Sequence, residues 1–432
     1  MNPDVIVVGG GFAGLSAATA LAAQGTRVLV LEARPTLGGR ASAFNDPATG
    51  DRVDNGQHVL FGCYHETFAF LRRIGASQHV QLQRDLTIDF VSDDGRSSRL
   101  ACPRLPSPFH LLAGVLRWKA LSVRDRLSVL RMRGAIFESS PRQFETVRQW
   151  LGRHHQTPRL IELLWEPLGM AALNQSIDIA AAAPFAAVLG RMFGSNPSDA
   201  TLALPLKPLD ELYALPARDF IAARGGEVRT NAPARIACNP LRVIVRDEEL
   251  RAGHVICAVA WHALDETFLD PPPTLAPMLK AAALTEASPI VTVNLWFDRV
   301  VTDRTFVGLP GGTFQWLFDK RLLFGEQISH LSLVASGAAG MTEKPNAELT
   351  DRAVAEVRAA LPPARDARLL RSVVVREKRA SFSVAPGQPP RPPTITGVAG
   401  LFLAGDWIDT GLPATIEGAV VSGHRAAALV TA

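Results

Sequence analysis

The stretch that decides the fold is residues 5–14, VIVVGGGFAG. Its first four residues are apolar and β-branched, as in a buried strand of a parallel sheet. The strand leads without a break into G-x-G-x-x-G, formed by Gly9, Gly11 and Gly14. In such a loop the first glycine permits a tight turn, the second lets the backbone approach a pyrophosphate, and the third permits close packing of a helix on the strand. The stretch therefore predicts a dinucleotide-binding site.

The residues after these glycines complete a strand–helix–strand unit. A helical pattern runs from residue 15 to about residue 23, and a second apolar strand spans residues 27–31 and leads to Glu32. The helix start directs free N–H groups and a partial positive charge at the diphosphate, so we expect contacts from Phe12 and Ala13. The carboxylate of Glu32 can accept hydrogen bonds from a ribose diol. A purely structural glycine-rich turn is the alternative.

The composition is that of a globular protein with two domains. The 432 residues are 47% hydrophobic and 20% charged, and they exceed what one ordinary core holds. No run of 18 uninterrupted apolar residues occurs, so we expect no transmembrane helix. The N-terminus lacks the basic region of a signal peptide, which favours a cytoplasmic protein. The net charge of +4 comes without the aromatic-basic motifs of nucleic-acid binders, so we expect no nucleic-acid partner.

The four cysteines do not form a redox or metal motif. Cys63, Cys102, Cys238 and Cys257 include no pair with C-x-x-C spacing. In a cytoplasmic chain such cysteines are usually small buried apolar residues. The sequence therefore predicts no metal site.

The segment that begins at Glu32 separates FAD from NAD. Residues 32–40, EARPTLGGR, resemble the continuation of this fingerprint in the amine oxidase and phytoene desaturase superfamily of flavoproteins. The resemblance extends to residues 54–56, DNG, which match the D-x-G of that superfamily. A pair of solvated arginines is the alternative for Arg34 and Arg40. The resemblance implies non-covalently bound FAD, a glycine backbone near the flavin ring, and these contacts: Glu32, Ala33, Arg34, Gly38, Gly39, Arg40, Gly56, Gln57 and His58.

A second flavin segment is expected near the C-terminal end. An apolar strand at residues 401–404 precedes a Gly-Asp pair, and a helical pattern runs from about residue 414 to residue 430. No cysteine lies near this segment, so a thioether link to the flavin is excluded there, whereas a link through His424 stays open. The resemblance implies contacts with the ribityl–phosphate region and, from the helix N-terminus, with the pyrimidine carbonyl of the flavin: Gly405, Asp406, Ala414, Thr415 and Ile416.

The two ends must belong to one discontinuous domain. Alternating strands at residues 225–236 and 254–258 fit the superfamily's middle FAD-domain insert, in which a residue near Ala234 contacts the adenine. The predicted fold class is α/β: a two-domain FAD-binding fold with a Rossmann-like FAD domain and an α+β substrate domain of mixed sheet plus helices. No second G-x-G-x-x-G occurs, so bound NAD(P)H is not expected and the external electron donor is unknown. We place the FAD domain at residues 1–75, 205–262 and 395–432, and the substrate domain at 76–204 and 263–394.

Two features of the predicted substrate domain suggest a large apolar ligand. Strand patterns at residues 290–297 and 313–318 carry Trp296 and Trp316, which would suit a sheet facing the flavin, although plain core packing is the alternative. A helical stretch at residues 109–137 is apolar but carries six basic residues against one acid. Such a segment can dock on an anionic membrane surface, and an exposed helical hairpin is the alternative.

A narrower resemblance, to one group within this superfamily, indicates the substrate. Residues 54–64, DNGQHVLFGCY, and the later segments WEPL at 165–168 and ALN at 172–174 resemble the squalene-associated FAD-dependent desaturases, the hydroxysqualene dehydroxylases of bacterial hopanoid pathways. The resemblance implies reductive removal of an allylic hydroxyl from hydroxysqualene, which gives squalene. Exposing such a C30 chain to water costs roughly 20 kcal/mol, at about 0.8 kcal/mol per CH₂-sized unit. We therefore expect an apolar tunnel in an enzyme that associates peripherally with the inner face of the membrane.

Reductive dehydroxylation needs a general acid, because the hydroxyl leaves as water. The candidates are His58, close to the glycine expected near the flavin, then Glu166 and Asp85. A structural histidine is the alternative for His58. Three other functions share the motifs: a carotenoid or squalene desaturase, an amine oxidase, and a non-enzymatic escort of prenylated proteins. The presence of only two tyrosines argues against the aromatic cage of an amine oxidase, and the intact flavin motifs argue against the escort.

Overall fold

The structure is a computed structural model that describes residues 3–92, 94–132, 134, 141–194 and 196–431. Its strands, in chain order, are β1 (Val5–Val8), β2 (Val28–Leu31), β3 (Ala43–Asn45), β4 (Arg52–Asp54), β5 (Leu60–Phe61), β6 (Val80–Leu82), β7 (Thr87–Val91), β8 (Ser97–Ala101), β9 (Leu202–Pro205), β10 (Glu227–Arg229), β11 (Ala234–Cys238), β12 (Leu241–Val245), β13 (Glu248–Leu250), β14 (His254–Cys257), β15 (Ala287–Phe297), β16 (Phe306–Gly308), β17 (Trp316–Asp319), β18 (Ser329–Ser336), β19 (Leu369–Phe382) and β20 (Leu401–Leu403).

The α-helices of the described residues are α1 (Phe12–Ala22), α2 (His65–Arg73), α3 (Phe109–Arg117), α4 (Val123–Ser128), α5 (Val147–Arg153), α6 (Pro158–Leu160), α7 (Glu166–Leu173), α8 (Ala182–Met192), α9 (Leu215–Ala222), α10 (Leu264–Thr267), α11 (Ala276–Leu284), α12 (Lys320–Phe324), α13 (Asn346–Ala360) and α14 (Ile416–Val430). None of these helices combines the length and the apolar character that crossing a bilayer requires.

A parallel sheet of five strands, in the order β10-β2-β1-β14-β20, holds the glycine-rich loop. β1 lies at its centre, with Val5 opposite Val28 on one side and opposite His254 on the other. All four residues of β1 are buried, as their β-branched sequence predicts. Helices α1 and α14 pack closely together beside this sheet. Gly423 of α14 lies so near α1 that a Cβ on it would come within 2.3 Å of the carbonyl oxygen of Ala13.

A seven-stranded mixed sheet, in the order β19-β15-β18-β17-β16-β7-β8, forms the second layer. Its pairs are antiparallel except for β16 with β7. Alternation along β15 sends Val291, Val293 and Leu295 into a cluster with α13. The opposite face carries Thr292, whose hydroxyl would lie 3.8 Å from a Cβ on Gly56. A mixed sheet with helices beside a parallel one confirms the predicted fold class, whereas the predicted domain boundaries stay a prediction.

The segment at residues 109–137 differs from the single helical stretch that its pattern predicts. Helix α3 ends before Trp118, whose backbone is extended, and a capping box between Ser122 and Asp125 starts α4. The indole of Trp118 is buried and stacks on Phe90 with ring centroids 5.2 Å apart, so it belongs to the interior and not to a membrane-facing surface. Arg133 and Phe137, also part of the predicted stretch, lie outside the described residues.

Candidate active site: a dinucleotide cradle joined to an apolar chamber

A continuous cavity of about 1520 Å³ runs between the two sheets. One end is formed by the loops that follow β1, β2 and β20, and the other end is walled by apolar side chains of the mixed sheet and of helices α3 and α7. Every residue that the sequence predicts to contact FAD lines this cavity except Gly14, which packs α1 against the strand: Gly9, Gly11, Phe12, Ala13, Glu32, Ala33, Arg34, Gly38, Gly39, Arg40, Gly56, Gln57, His58, Ala234, Gly405, Asp406, Ala414, Thr415 and Ile416.

The three fingerprint glycines have the geometry that a pyrophosphate needs. Gly9 has a φ of +112°, a left-handed value that other residues rarely adopt. A Cβ on Gly14 would lie 1.9 Å from the carbonyl oxygen of Gly9, so only glycine permits the observed helix–strand packing. A Cβ on Gly11, by contrast, would come no closer than 3.9 Å to the Gly38 oxygen, because this glycine faces the open cavity. The space in front of Gly11 is therefore free for a ligand's phosphates.

Helix α1 starts at this open space without a side-chain cap. Its first N–H groups are thus available to an anion. The ring of Phe12 does not compete for the space, because it stacks on Tyr213 with centroids 3.5 Å apart. The contribution of Phe12 to a cofactor is consequently its backbone N–H.

Backbone hydrogen bonds fix the carboxylate of Glu32 at the end of β2. One oxygen accepts from the N–H of Gly10 at 2.8 Å and the other from the N–H of Arg34 at 2.9 Å. The side chain is 7% exposed and borders the cavity. A carboxylate oxygen can accept more than one hydrogen bond, so a ribose diol fits here.

Arg40 connects three distant parts of the chain. Its guanidinium forms an ion pair with Asp406, donates to the carbonyl oxygen of Ala380 at 3.0 Å, and lies 5.2 Å from the ring centre of Trp261. Arg40 is therefore not a solvated surface arginine. Arg34 is more exposed and donates to the carbonyl oxygen of Gly39 at 3.2 Å.

At the C-terminal segment, α14 directs its N-terminus at the cavity. Thr415 caps the helix by accepting from the N–H of Gly418 at 3.0 Å. Glu417, which the motif reasoning missed, is 1% exposed and accepts from the N–H and the hydroxyl of Thr67 at 2.9 and 2.6 Å. Burial raises the pKa of the Glu417 carboxyl. This contact ties α14 to the start of α2 and so fixes the helix N-terminus where a flavin carbonyl is expected.

His424 is directed away from the cavity. Its Nδ1 lies 2.6 Å from a carboxylate oxygen of Glu66 and its Nε2 lies 2.8 Å from Arg73. It is not among the cavity-lining residues. The arrangement therefore gives no support to a covalent flavin link through His424.

His58 lies where the cradle meets the apolar chamber. Its Nδ1 is 2.9 Å from the carbonyl oxygen of Gly56, and the residue lines the cavity. Burial lowers the pKa of His58 below its ordinary value of 6.5, although the nearby carboxylate of Asp54 and the Gly56 carbonyl oppose that shift. With Nδ1 bound to the carbonyl, Nε2 is the ring atom left for a ligand.

The loop that carries His58 is held by a residue that sequence reasoning missed. Lys320 is 1% exposed, and its ammonium lies 2.8 Å from Asp54 and also donates to Gln57. The amide of Gln57 in turn donates to the carbonyl oxygen of His58 at 3.0 Å. Lys320 is 266 positions from Asp54, so no local pattern could have paired them.

The other two candidate acids lie outside the cavity wall. Glu166 has a side chain that is 43% exposed and lies 3.6 Å from Arg148. Asp85 is 36% exposed and is paired with Arg104 at 3.2 Å. Among the candidate acids, the structure therefore places His58 alone in the cavity. Neighbours of the other two, Trp165, Pro167 and Leu86, line the cavity instead.

The chamber beyond His58 is apolar. Trp316 lines it as expected, whereas Trp296 does not, because it stacks on His330 with ring centroids 4.1 Å apart. The walls are built mainly from Val59, Phe61, Leu86, Phe90, Val115, Trp165, Leu168, Met192, Phe306, Trp316, Phe318 and Val334. Phe109 and Leu130 also line the chamber while being 59% and 47% exposed, so they mark its mouth.

The chain matches the family described as flavin containing amine oxidoreductase over residues 12–431. Among related proteins, hydroxysqualene dehydroxylase of Sinorhizobium fredii is 30% identical over 99% of this chain and 98% of its own, and that of Zymomonas mobilis is 29% identical over 98% of both. The 15-cis-phytoene desaturase of Synechococcus elongatus is 24% identical over 99% of this chain and 96% of its own.

Solved structures show the same fold at lower identity. An oxidoreductase from Methanosarcina mazei superimposes with a TM-score of 0.76 at 17% identity, covering 98% of this chain and 99% of that one. Putrescine oxidase bound to putrescine superimposes with a TM-score of 0.74 at 17% identity, covering 100% and 99%. With the family match across almost the whole chain and a cavity lined by the residues expected to contact FAD, the chain belongs to the flavin containing amine oxidoreductase family and is an FAD-dependent oxidoreductase.

Proposed function

We propose that the protein catalyses the reductive dehydroxylation of hydroxysqualene to squalene. The observation that carries this proposal is the cavity, in which the FAD cradle opens directly into a large apolar chamber. The relatives from Sinorhizobium fredii and Zymomonas mobilis, which match along nearly their whole length, carry the name hydroxysqualene dehydroxylase. A chamber walled by aromatic and aliphatic side chains suits a C30 isoprenoid, whose transfer from water is favourable by roughly 0.8 kcal/mol for each CH₂ buried.

FAD, when bound and reduced, supplies the hydride of this reaction. The rest of the chemistry falls to the protein: the substrate's C–O bond breaks, its oxygen leaves as water, and one proton must therefore reach the hydroxyl oxygen. His58 is the residue that we propose for this proton, because it lines the cavity beside the glycine expected at the flavin ring. Its bond to the Gly56 carbonyl favours the protonated ring and leaves Nε2 for the substrate.

Replacing His58 tests this role. We expect His58→Ala to bind FAD as the wild type does but to lose roughly 10²- to 10⁴-fold in turnover, the usual contribution of a general acid. The measurement is a single-turnover reaction of the reduced enzyme with hydroxysqualene in detergent. Glu166→Gln and Asp85→Asn are matched controls, since both carboxylates lie outside the cavity wall. Full turnover by His58→Ala would remove His58 from the mechanism.

Proton donation by His58 predicts the direction in which the single-turnover rate changes with pH. Burial lowers the pKa of His58 below 6.5, so the ring is mostly neutral at neutral pH. Its protonated fraction, which is the form that donates the proton, grows as the pH falls. The single-turnover rate should therefore rise as the pH decreases toward that pKa and should fall as the pH increases. A rate that rises with pH across the same range would contradict proton donation by His58.

We also propose that the enzyme docks on an anionic membrane through a membrane-facing patch, formed by the exposed side chains Phe109, Arg117, Val123, Arg124, Leu127, Leu130 and Arg131. The chamber mouth lies within this patch, since Phe109 and Leu130 belong to both. Arginines beside exposed apolar side chains suit a lipid surface with negative headgroups. Docking there would let an apolar substrate pass from lipid to chamber without crossing water.

Desaturation is the second candidate reaction. The same chamber would accept a polyene, and relatives named 15-cis-phytoene desaturase also match across the chain. The two reactions differ in the flavin state they need, since desaturation starts from the oxidised enzyme. Product formation from a polyene by the oxidised protein, with no reaction of the reduced protein with hydroxysqualene, would favour the desaturase.

A further inference from the structure

A buried ion pair lies directly beneath the loop that carries His58. The side chains of Lys320 and Asp54 are 1% and 3% exposed, and their charged atoms are 2.8 Å apart. Lys320 also donates to Gln57, and its ammonium lies 4.2 Å from the ring centre of Phe324. Taking two charges out of water is expensive, so a pair this deeply buried is weak evidence for added stability. Its position beneath a loop that lines the cavity suggests another use.

The pair links elements that are far apart in the chain. Lys320 begins α12, directly after strand β17 of the mixed sheet. Asp54 ends β4, and its second oxygen accepts from the N–H of Leu209 at 3.0 Å. The next residues after Asp54 are the cavity-lining loop at 55–58. The ion pair therefore joins the mixed sheet to the start of this loop, and Gln57 carries the connection to the backbone of His58.

From this geometry we infer that Lys320 and Asp54 form a positioning pair that holds His58 in the cavity and sets its charge. The consequence for turnover rests on the proposed function, but the effect on His58 does not. Lys320 is a positioning residue and not a catalytic one, because it does not line the cavity and acts through Asp54 and Gln57.

The charged groups that face His58 act on it in opposite directions. Asp54 favours the protonated imidazole, as does the Gly56 carbonyl. Lys320 and Arg40 disfavour it, in the same sense as burial, which has the largest effect. Removing the charge of Lys320 should therefore raise the pKa of His58, and removing the charge of Asp54 should lower it.

A merely structural role makes a different prediction. If the pair only packs the loop, breaking it from either side lets water reach His58. Hydration relieves the effect of burial, so the pKa of His58 would rise in both variants. The direction of the two shifts therefore distinguishes a positioning pair from a packing contact.

The test is the titration of His58 in the FAD-loaded protein, followed by NMR with labelled histidine and assigned through a His58→Gln variant. We expect Lys320→Met to shift the midpoint upward and Asp54→Asn to shift it downward, with the downward shift the larger of the two. A midpoint that falls below the measurable range counts as a downward shift. Shifts in the same direction, or no shift in either variant, would overturn the inference.

A double variant keeps the inference testable if one of the single variants does not fold. Asp54→Asn with Lys320→Met removes both charges and leaves no unpaired buried ion, so it should fold where a single variant does not. The effect of Asp54 on His58 exceeds that of Lys320, so the double variant should lower the His58 pKa. An unchanged or raised pKa would contradict the inference. Lys344→Met is the matched control, since this lysine is 44% exposed and pairs with Glu348 on α13.

The titration is independent of the proposed reaction. If the two shifts oppose each other but hydroxysqualene does not react, the positioning pair stands and the substrate is wrong. If hydroxysqualene reacts but the shifts agree in direction, the reaction stands and the pair is only a packing contact.

Discussion

At the scale of single residues, the glycines of the G-x-G-x-x-G motif have different structural roles even though they are chemically identical. Gly14 is required by the packing of α1 on the strand, whereas Gly11 is required only by the ligand. The φ of Gly11, −90°, is accessible to any residue, and the space in front of Gly11 is open. The two positions therefore allow folding and cofactor binding to be separated.

This separation gives a prediction for two substitutions. Gly11→Val should fold and melt like the FAD-free wild type, but it should purify colourless, because its side chain occupies the space of the pyrophosphate. Gly14→Ala should lose about 3 kcal/mol of the free energy of unfolding, the upper end of the usual cost of overpacking, because its Cβ overlaps the Gly9 carbonyl. Flavin absorbance and thermal melting measure both effects. A yellow Gly11→Val protein would place the pyrophosphate elsewhere.

The position of a residue at the cavity could be predicted from the sequence where one local motif marks that residue, whereas its contact with FAD stays a prediction. Glu32 and Asp406 come just after strands that the sequence marks clearly, Arg40 belongs to the Gly-Gly-Arg motif in the loop after Glu32, and all three border the cavity. Lys320 and Glu417 were missed because their partners, Asp54 and Thr67, are 266 and 350 positions away.

Proximity in sequence to cavity-lining residues did not predict correctly which acidic side chains reach the cavity. Glu166 and Asp85 adjoin cavity-lining residues, yet neighbouring side chains on a helix or an extended segment point in different directions. Trp165 and Leu86 consequently face the chamber, while the two acids face arginines on the outside.

At the scale of elements, α3 and α4 connect the chamber to the surface. Val123 and Leu127 are separated by one helical turn and are 69% and 53% exposed, and Leu130 continues the same side at 47%. The sequence predicted an apolar and basic segment, but not that its tryptophan would turn inward. Burial of Trp118 against Phe90 depends on the distant strand β7, which no pattern within the segment reveals.

The patch can be tested by placing negative charges in its apolar part. We expect Leu127→Glu with Leu130→Glu to reduce binding to vesicles of phosphatidylglycerol and phosphatidylcholine, because carboxylates would face an anionic surface. Co-flotation measures the bound fraction. Leu284→Glu is the matched control, since Leu284 is 61% exposed on α11, outside the patch. Equal binding of all three proteins would exclude this patch as the docking surface.

At the scale of the whole molecule, the function depends on joining two sheets around one cavity. The fold class followed from motifs near each end of the chain, because a parallel sheet with a glycine-rich loop has few alternatives. The mouth of the chamber and the buried polar contacts under His58 did not follow. The polar contacts arise where the mixed sheet meets the FAD side, as in the pair of Lys320 with Asp54. The mouth depends on which side chains of α3 and of the turn after α4 stay exposed, namely Phe109 and Leu130.

The joined cavity makes the central claim testable in one reaction. The protein is reduced anaerobically, hydroxysqualene is added in detergent, and the flavin spectrum and the lipid products are followed together. The account predicts that the flavin becomes oxidised as an equal amount of squalene appears, without any other electron acceptor. A reduced flavin that remains unchanged in the presence of hydroxysqualene would contradict the claim that the chamber presents this alcohol to FAD.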